Sequence, residues 1–96
     1  MDYKKVASDI IENVGGKENI KSMTHCFTRL RFVLRDNKKA DKDVVSRLEG
    51  VIQVVEASGQ FQVVLGSKVN KIYDQAVALL GGEMVGEGDV EVPAEK

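Results

Sequence analysis

The sequence predicts an α+β domain: a two-layer sandwich of order αββαββα, with a four-stranded antiparallel sheet and three helices on one face. Three observations predict it. Apolar residues recur at helical spacing in Tyr3–Val14 and Val69–Leu80. Between these lie segments that alternate apolar and polar residues, most cleanly Thr28–Leu34 and Gln60–Leu65. The strands come in pairs joined by short links, whereas a fully parallel sheet would need a crossover between successive strands.

The first helix carries Tyr3, Val6, Ala7, Ile10, Ile11 and Val14 on one face, with Asp2 as N-cap and Gly15-Gly16 as its stop. Ile20–His25 reads as a short strand. Thr28–Leu34 reads as the next, with Leu30, Phe32 and Leu34 on one side and Arg29, Arg31 and Val33 on the other. Cys26 and Phe27 form the link, and Asp36-Asn37 opens a polar turn. A second helix is expected over Asp41–Glu49, capped by Asp41, with Val44, Val45 and Leu48 inward and Gly50 ending it. Val51–Ala57 and Gln60–Leu65 are β-rich runs linked by Ser58-Gly59, a hairpin signal. Phe61, Val63 and Leu65 share one face of the latter, Gln60, Gln62 and Val64 the other. The last helix places Val69, Ile72, Tyr73, Ala76, Leu79 and Leu80 on one stripe, with Ser67 as cap and Gly81-Gly82 as stop. Residues 1–80 are thus one domain. Residues 81–96, glycine-rich and acidic without periodicity, read as a flexible tail or truncated linker. Helices on one face leave the other face of the sheet to water, with Arg29, Arg31 and Gln62 on it or at its rim.

The 96 residues suit one small core, with 43% hydrophobic and 30% charged residues. A net charge of −1 gives no bulk electrostatic support to nucleic-acid or membrane-surface binding. Neither a signal-peptide pattern nor a membrane-length apolar run is present, so a cytoplasmic chain with no membrane insertion is expected. One cysteine can form no internal disulfide and makes a poor metal site; no metal and no organic cofactor is expected.

That cysteine lies in "THCFTRLRF", Thr24–Phe32, beside the only histidine. Buried filler is the common fate of a free cysteine. A nucleophile, in contrast, must lower its thiol pKa from about 8.5. Arg29 and Arg31 share a strand face, with Cα atoms roughly 6.5–7 Å apart, and their charge favours the thiolate. Turn N–H groups add an anion nest, and Thr28 adds a hydroxyl. Guanidinium forks match phosphate oxygens, so the cluster suits a cysteine that carries a phosphoryl group. It does not suit a cysteine phosphatase. Those place arginine six positions after the cysteine, and here that position is Phe32. Two other classes remain open on the residues alone. One is a redox-sensing thiol, which lacks a resolving cysteine here; the other is a non-catalytic module that binds through the open sheet face. Simple solvation of Arg29 and Arg31, and bland roles for His25 and Gln62, also remain open.

"GGKENIKSMTHCFTRLRFVLRD" followed by "LEGVIQVVEASGQFQVVLG" resembles the enzyme IIB domains of the bacterial sugar phosphotransferase system. The likeness is to the glucose superfamily, in its β-glucoside, sucrose and trehalose branch, over about residues 1–80. The resemblance implies a sheet of order 1-2-4-3 and a phosphoryl relay. Cys26 would accept phosphate from a phosphohistidine of a IIA domain and pass it to a sugar held by a membrane IIC domain, making the chain a transferase component. Arg29 and Arg31 match the arginines implicated in onward transfer. Thr28 and Gln62 match motif positions near the docking surface. His25 is a marker of this branch. Phe27 stands where a smaller residue is usual, and adds an apolar contact for a partner. The resemblance implies a cytoplasmic domain at the inner membrane face, monomeric when isolated.

Overall fold

The computed structural model describes residues 1–57 and 59–81. Asp2 caps α1 (Tyr3–Asn13), its carboxylate accepting from the Lys5 N–H at 3.1 Å. Val6, Ala7, Ile10 and Ile11 form the buried stripe. The chain then doubles back at Gly15, whose φ of 110° disfavours any side chain; a Cβ there would lie 2.5 Å from Asn19 Nδ2. That close approach lets the buried Asn19 act as a bracket. Its Nδ2 donates to the Val14 carbonyl at 2.7 Å and to the Asp36 carbonyl at 3.0 Å, and its Oδ1 accepts from the Asp36 N–H at 2.9 Å. The hydrophobic pattern alone does not single this residue out.

Strands β1 (Ile20–His25), β2 (Arg29–Leu34), β3 (Gln53–Ala57) and β4 (Gln60–Val64) pair antiparallel in the order β1-β2-β4-β3. This is the order that the resemblance implied. β1 breaks strict alternation because Ile20 and Met23, three apart, both face the core. A register shift between Ile20 and Ser22 supplies the extra residue. Leu30, Phe32, Leu34, Val54, Phe61 and Val63 form the inner face, buried with Ile10, Ile72 and Ala76 of the helices.

Three expectations need correction. α2 spans only Lys42–Ser46, not Asp41–Glu49; the Asp41 cap holds, with its carboxylate accepting from the Val44 N–H at 3.1 Å. Only Val45 is fully buried there, and after Ser46 the chain tightens into shorter-range turns, with Leu48 N–H bonded to the Val45 carbonyl. Ser67 does not cap the last helix. A 3₁₀ turn, Gly66–Lys68, leads into α3 (Val69–Leu80), and the Val69 N–H finds the Gly66 carbonyl instead. Leu79 is exposed, because the buried stripe runs through Val69, Ile72, Ala76 and Leu80 and turns it away; Val77 packs against the core in addition. Gly81 ends α3 in the left-handed region, as expected. Ser58 and the expected tail beyond Gly81 lie outside the described residues.

Phe32 is wholly buried at the centre of the sheet, between β1 and β4 and opposite Phe61. Phe32→Ala is expected to cost about 3–5 kcal/mol, much of a small domain's stability of roughly 5–14 kcal/mol. Urea unfolding would show this as a lower midpoint with the slope kept.

Candidate active site

At one end of the sheet β1 turns back into β2 through Cys26, Phe27 and Thr28. The Cys26 N–H closes the turn by donating to the Arg29 carbonyl at 2.9 Å. The Thr28 carbonyl accepts from both Leu65 N–H, at 2.8 Å, and Gly66 N–H, at 3.0 Å, which fastens the turn to the end of β4. From the helix side, His25 Nδ1–H donates to the Cys26 carbonyl at 3.0 Å, and its ring lies against Tyr73 with centroids 4.2 Å apart. The turn is thus fixed through its backbone, and its outward side chains are left for other contacts.

Cys26 is partly exposed. Burial pushes its thiol pKa up, but the backbone N–H groups of Thr28 and Arg29 and the charge and side-chain N–H of Arg31 outweigh this and hold it below the ordinary value. The turn amides matter here as much as the arginine charge does.

On the open face, Thr24, Arg31, Gln62 and Val55 form a row straight across the four strands. Cys26, Arg29, Val64 and Gln53 form the adjoining row nearer the turn. The two arginines were expected to act on the sulfur together, and they divide instead. Arg31 bears on the sulfur from the neighbouring row. Arg29, in the sulfur's own row, acts on it through its backbone N–H and turns its side chain toward β4, where Nη1 donates to Gln62 Oε1 at 2.8 Å. Arg31 Nε is buried with no hydrogen-bond partner among the described residues.

The residues expected at a docking surface also divide. Phe27 is 84% exposed beside the thiol. His25 is half-buried with its ring turned to α3, so it shapes the turn. Gln62 is only 6% exposed, and its carbonyl is taken by Arg29; it offers a partner almost no surface. Sequence reasoning missed Ile52, which is 63% exposed and reaches over Gly66 at the same end of the sheet. Its signal is weak, since alternation with Val54 assigns it to the core face.

Residues 8–41 match the family model described as phosphotransferase system, EIIB. The crystal structure of one domain of the PTS system IIabc component from Clostridium difficile matches the fold with a TM-score of 0.77 at 37% identity, covering 80% of this chain and 81% of that one. The chain belongs to the phosphotransferase system EIIB family. This EIIB chain is also 44% identical, over 95% of its length, to the PTS system beta-glucoside-specific EIIBCA component of Halalkalibacterium halodurans. To the PTS system sucrose-specific EIIBC component of Bacillus subtilis it is 49% identical over 77% of its length. It spans 14% and 16% of those two relatives. Among its described residues no helix is long and apolar enough to cross a membrane.

Proposed function

We propose that this EIIB domain, residues 1–80 with residues 81–96 as linker, carries a phosphoryl group on Cys26 between a phosphohistidine of a IIA domain and a sugar held by a IIC domain. The observation that carries the reading is the coincidence of a thiol biased toward its anion, in part by the charge of Arg31, with a buried Arg31 Nε that has no hydrogen-bond partner among the described residues. A buried donor without an acceptor is costly. A phosphoryl oxygen on the sulfur would supply that acceptor.

In the first step the thiolate lone pair forms the S–P bond as the P–N bond breaks, and the electron pair returns to the donor imidazole. In the second a sugar hydroxyl oxygen attacks phosphorus, the S–P bond breaks, and the thiolate is regenerated. The hydroxyl proton goes to a base on the sugar-binding partner. Such transfers need positioning and charge stabilisation more than new covalent chemistry. Arg31 and the turn N–H groups supply the stabilisation, Arg29 supplies a second guanidinium, and the exposed Thr28 offers its hydroxyl. The relatives' names, EIIBCA and EIIBC, support IIC and IIA domains as the partners, and so a working place at the inner face of the cell membrane. Phe27 and Ile52 would be the apolar contacts of a transient interface; both partners need the same sulfur, so they take turns.

Incubation with a phosphorylated IIA donor, followed by mass spectrometry, tests the reading. A gain of about 80 Da, one PO₃H, is expected on Cys26. Label on another residue, or none, would overturn it.

A further inference from the structure

Arg29 lies in the same row as the sulfur, yet its guanidinium is held by a residue one row away. Gln62 is buried, so which end of its amide faces Arg29 matters: a guanidinium can only donate, and must meet the carbonyl. The amide's other end shows how the choice is made. Gln62 Nε2 donates at 2.9 Å to Oε1 of Gln60, two residues along the same strand and on the same face. A three-membered chain therefore runs Arg29 to Gln62 to Gln60, each link with one donor and one acceptor.

We infer that Gln60 is a positioning residue for the transfer chemistry: by accepting from Gln62 it keeps the Gln62 carbonyl toward Arg29, and so orients a guanidinium that it does not itself touch. This rests on the phosphoryl-relay reading for its consequence, but not for its structural part. One of the five N–H donors of Arg29 is spent on the anchor, and the rest of the planar group is then pre-aimed rather than searching. Half-buried at the strand's start, Gln60 stands well away from the sulfur. Its removal therefore takes nothing directly from the phosphoryl group.

A charge-reversed pair of variants separates this role from simple electrostatics. Gln60→Glu keeps an acceptor for Gln62 Nε2. Gln60→Lys offers only a donor; Gln62 must then turn its carbonyl to the lysine and its NH₂ to Arg29, a donor facing a donor. By Coulomb's law alone lysine would favour a phosphoryl group and glutamate would disfavour it. The relay predicts the opposite ranking. Onward transfer to sugar is expected to fall about tenfold in Gln60→Lys, the scale of one hydrogen bond to a charged group, and to stay near the parent rate in Gln60→Glu. Acceptance from the donor should be unchanged in both.

Arginine side-chain NMR provides a second readout, independent of activity. The Arg29 Nη resonances should lose their slowed rotation and exchange in Gln60→Lys and keep them in Gln60→Glu. Arg29 resonances unchanged by Gln60→Lys would overturn the relay. So would altered resonances with unaltered transfer, or a faster Gln60→Lys than Gln60→Glu. If the parent chain carries no phosphoryl group at all, the functional reading falls by itself, and the Arg29 resonances still decide whether Gln60 sets the guanidinium.

Discussion

Cys26→Ser is expected to abolish phosphoryl transfer to sugar, a loss of about 10⁴-fold or more, as when the nucleophile of a covalent mechanism is removed. The substituted oxygen occupies nearly the same place, so the fold and the exposed Phe27 are kept. What is lost is the chemistry of the anion. The turn N–H groups and Arg31 shift a thiol below its ordinary pKa, but a hydroxyl starts far too high for the same groups to ionise it near neutral pH. Serine would also be a poorer leaving group in the second step, so any phosphate it accepted would stay. Phosphorylation of Cys26→Ser at the parent rate would end the relay reading. The pH dependence follows in sign. Because the folded thiol titrates below its usual value of about 8.5, alkylation by iodoacetamide should reach its half-maximal rate at lower pH than a free cysteine. Arg31→Met removes a positive charge that favours the thiolate, and should move that midpoint upward. A parent midpoint at or above the free-cysteine value would contradict the electrostatics of the turn.

Arg31→Lys is expected to separate the two half-reactions. Lysine keeps the charge, so the thiolate and its acceptance of phosphate should survive. It loses the planar fork and, with it, the buried Nε that has no hydrogen-bond partner among the described residues. Onward transfer should fall about 100-fold, the cost typical of removing one well-placed donor from a charge-stabilising site. Arg29→Lys should act in the same direction, since lysine can keep an anchor on Gln62 but cannot also present a fork. Single-turnover rates for loading and for discharge of Cys26, measured separately, would check this. Unchanged sugar phosphorylation in both variants would remove the arginines from the mechanism.

The fold class was legible because burial is periodic here. Period 3.6 in Tyr3–Val14 and period 2 in Leu30–Leu34 each leave one face apolar, and local spacing records which. Legibility failed where a neighbour supplies what the local sequence lacks. α2 is shorter than its pattern because only Val45 finds a deep site. Ser67 looked like a cap, but the Gly66–Lys68 turn already meets the backbone donors. The shift in β1 lets Ile20 and Met23 share a face that strict alternation would deny them.

Much of the candidate site could be read too: a lone cysteine, two arginines on one strand face and a turn between them are all local facts. By itself the sequence determined which side chains stand on the open face beside Cys26, because strand alternation is a property of consecutive residues. Only the tertiary structure decided what each does there. Arg31 favours the thiolate from the neighbouring row, whereas Arg29 is drawn to Gln62, and Gln62 is buried and held by Gln60, because β4 pairs beside β2 in a register that brings together residues 33 positions apart. Hydrogen bonds and charges act over a few ångströms of space, and no spacing along the chain encodes which strand will lie within that reach.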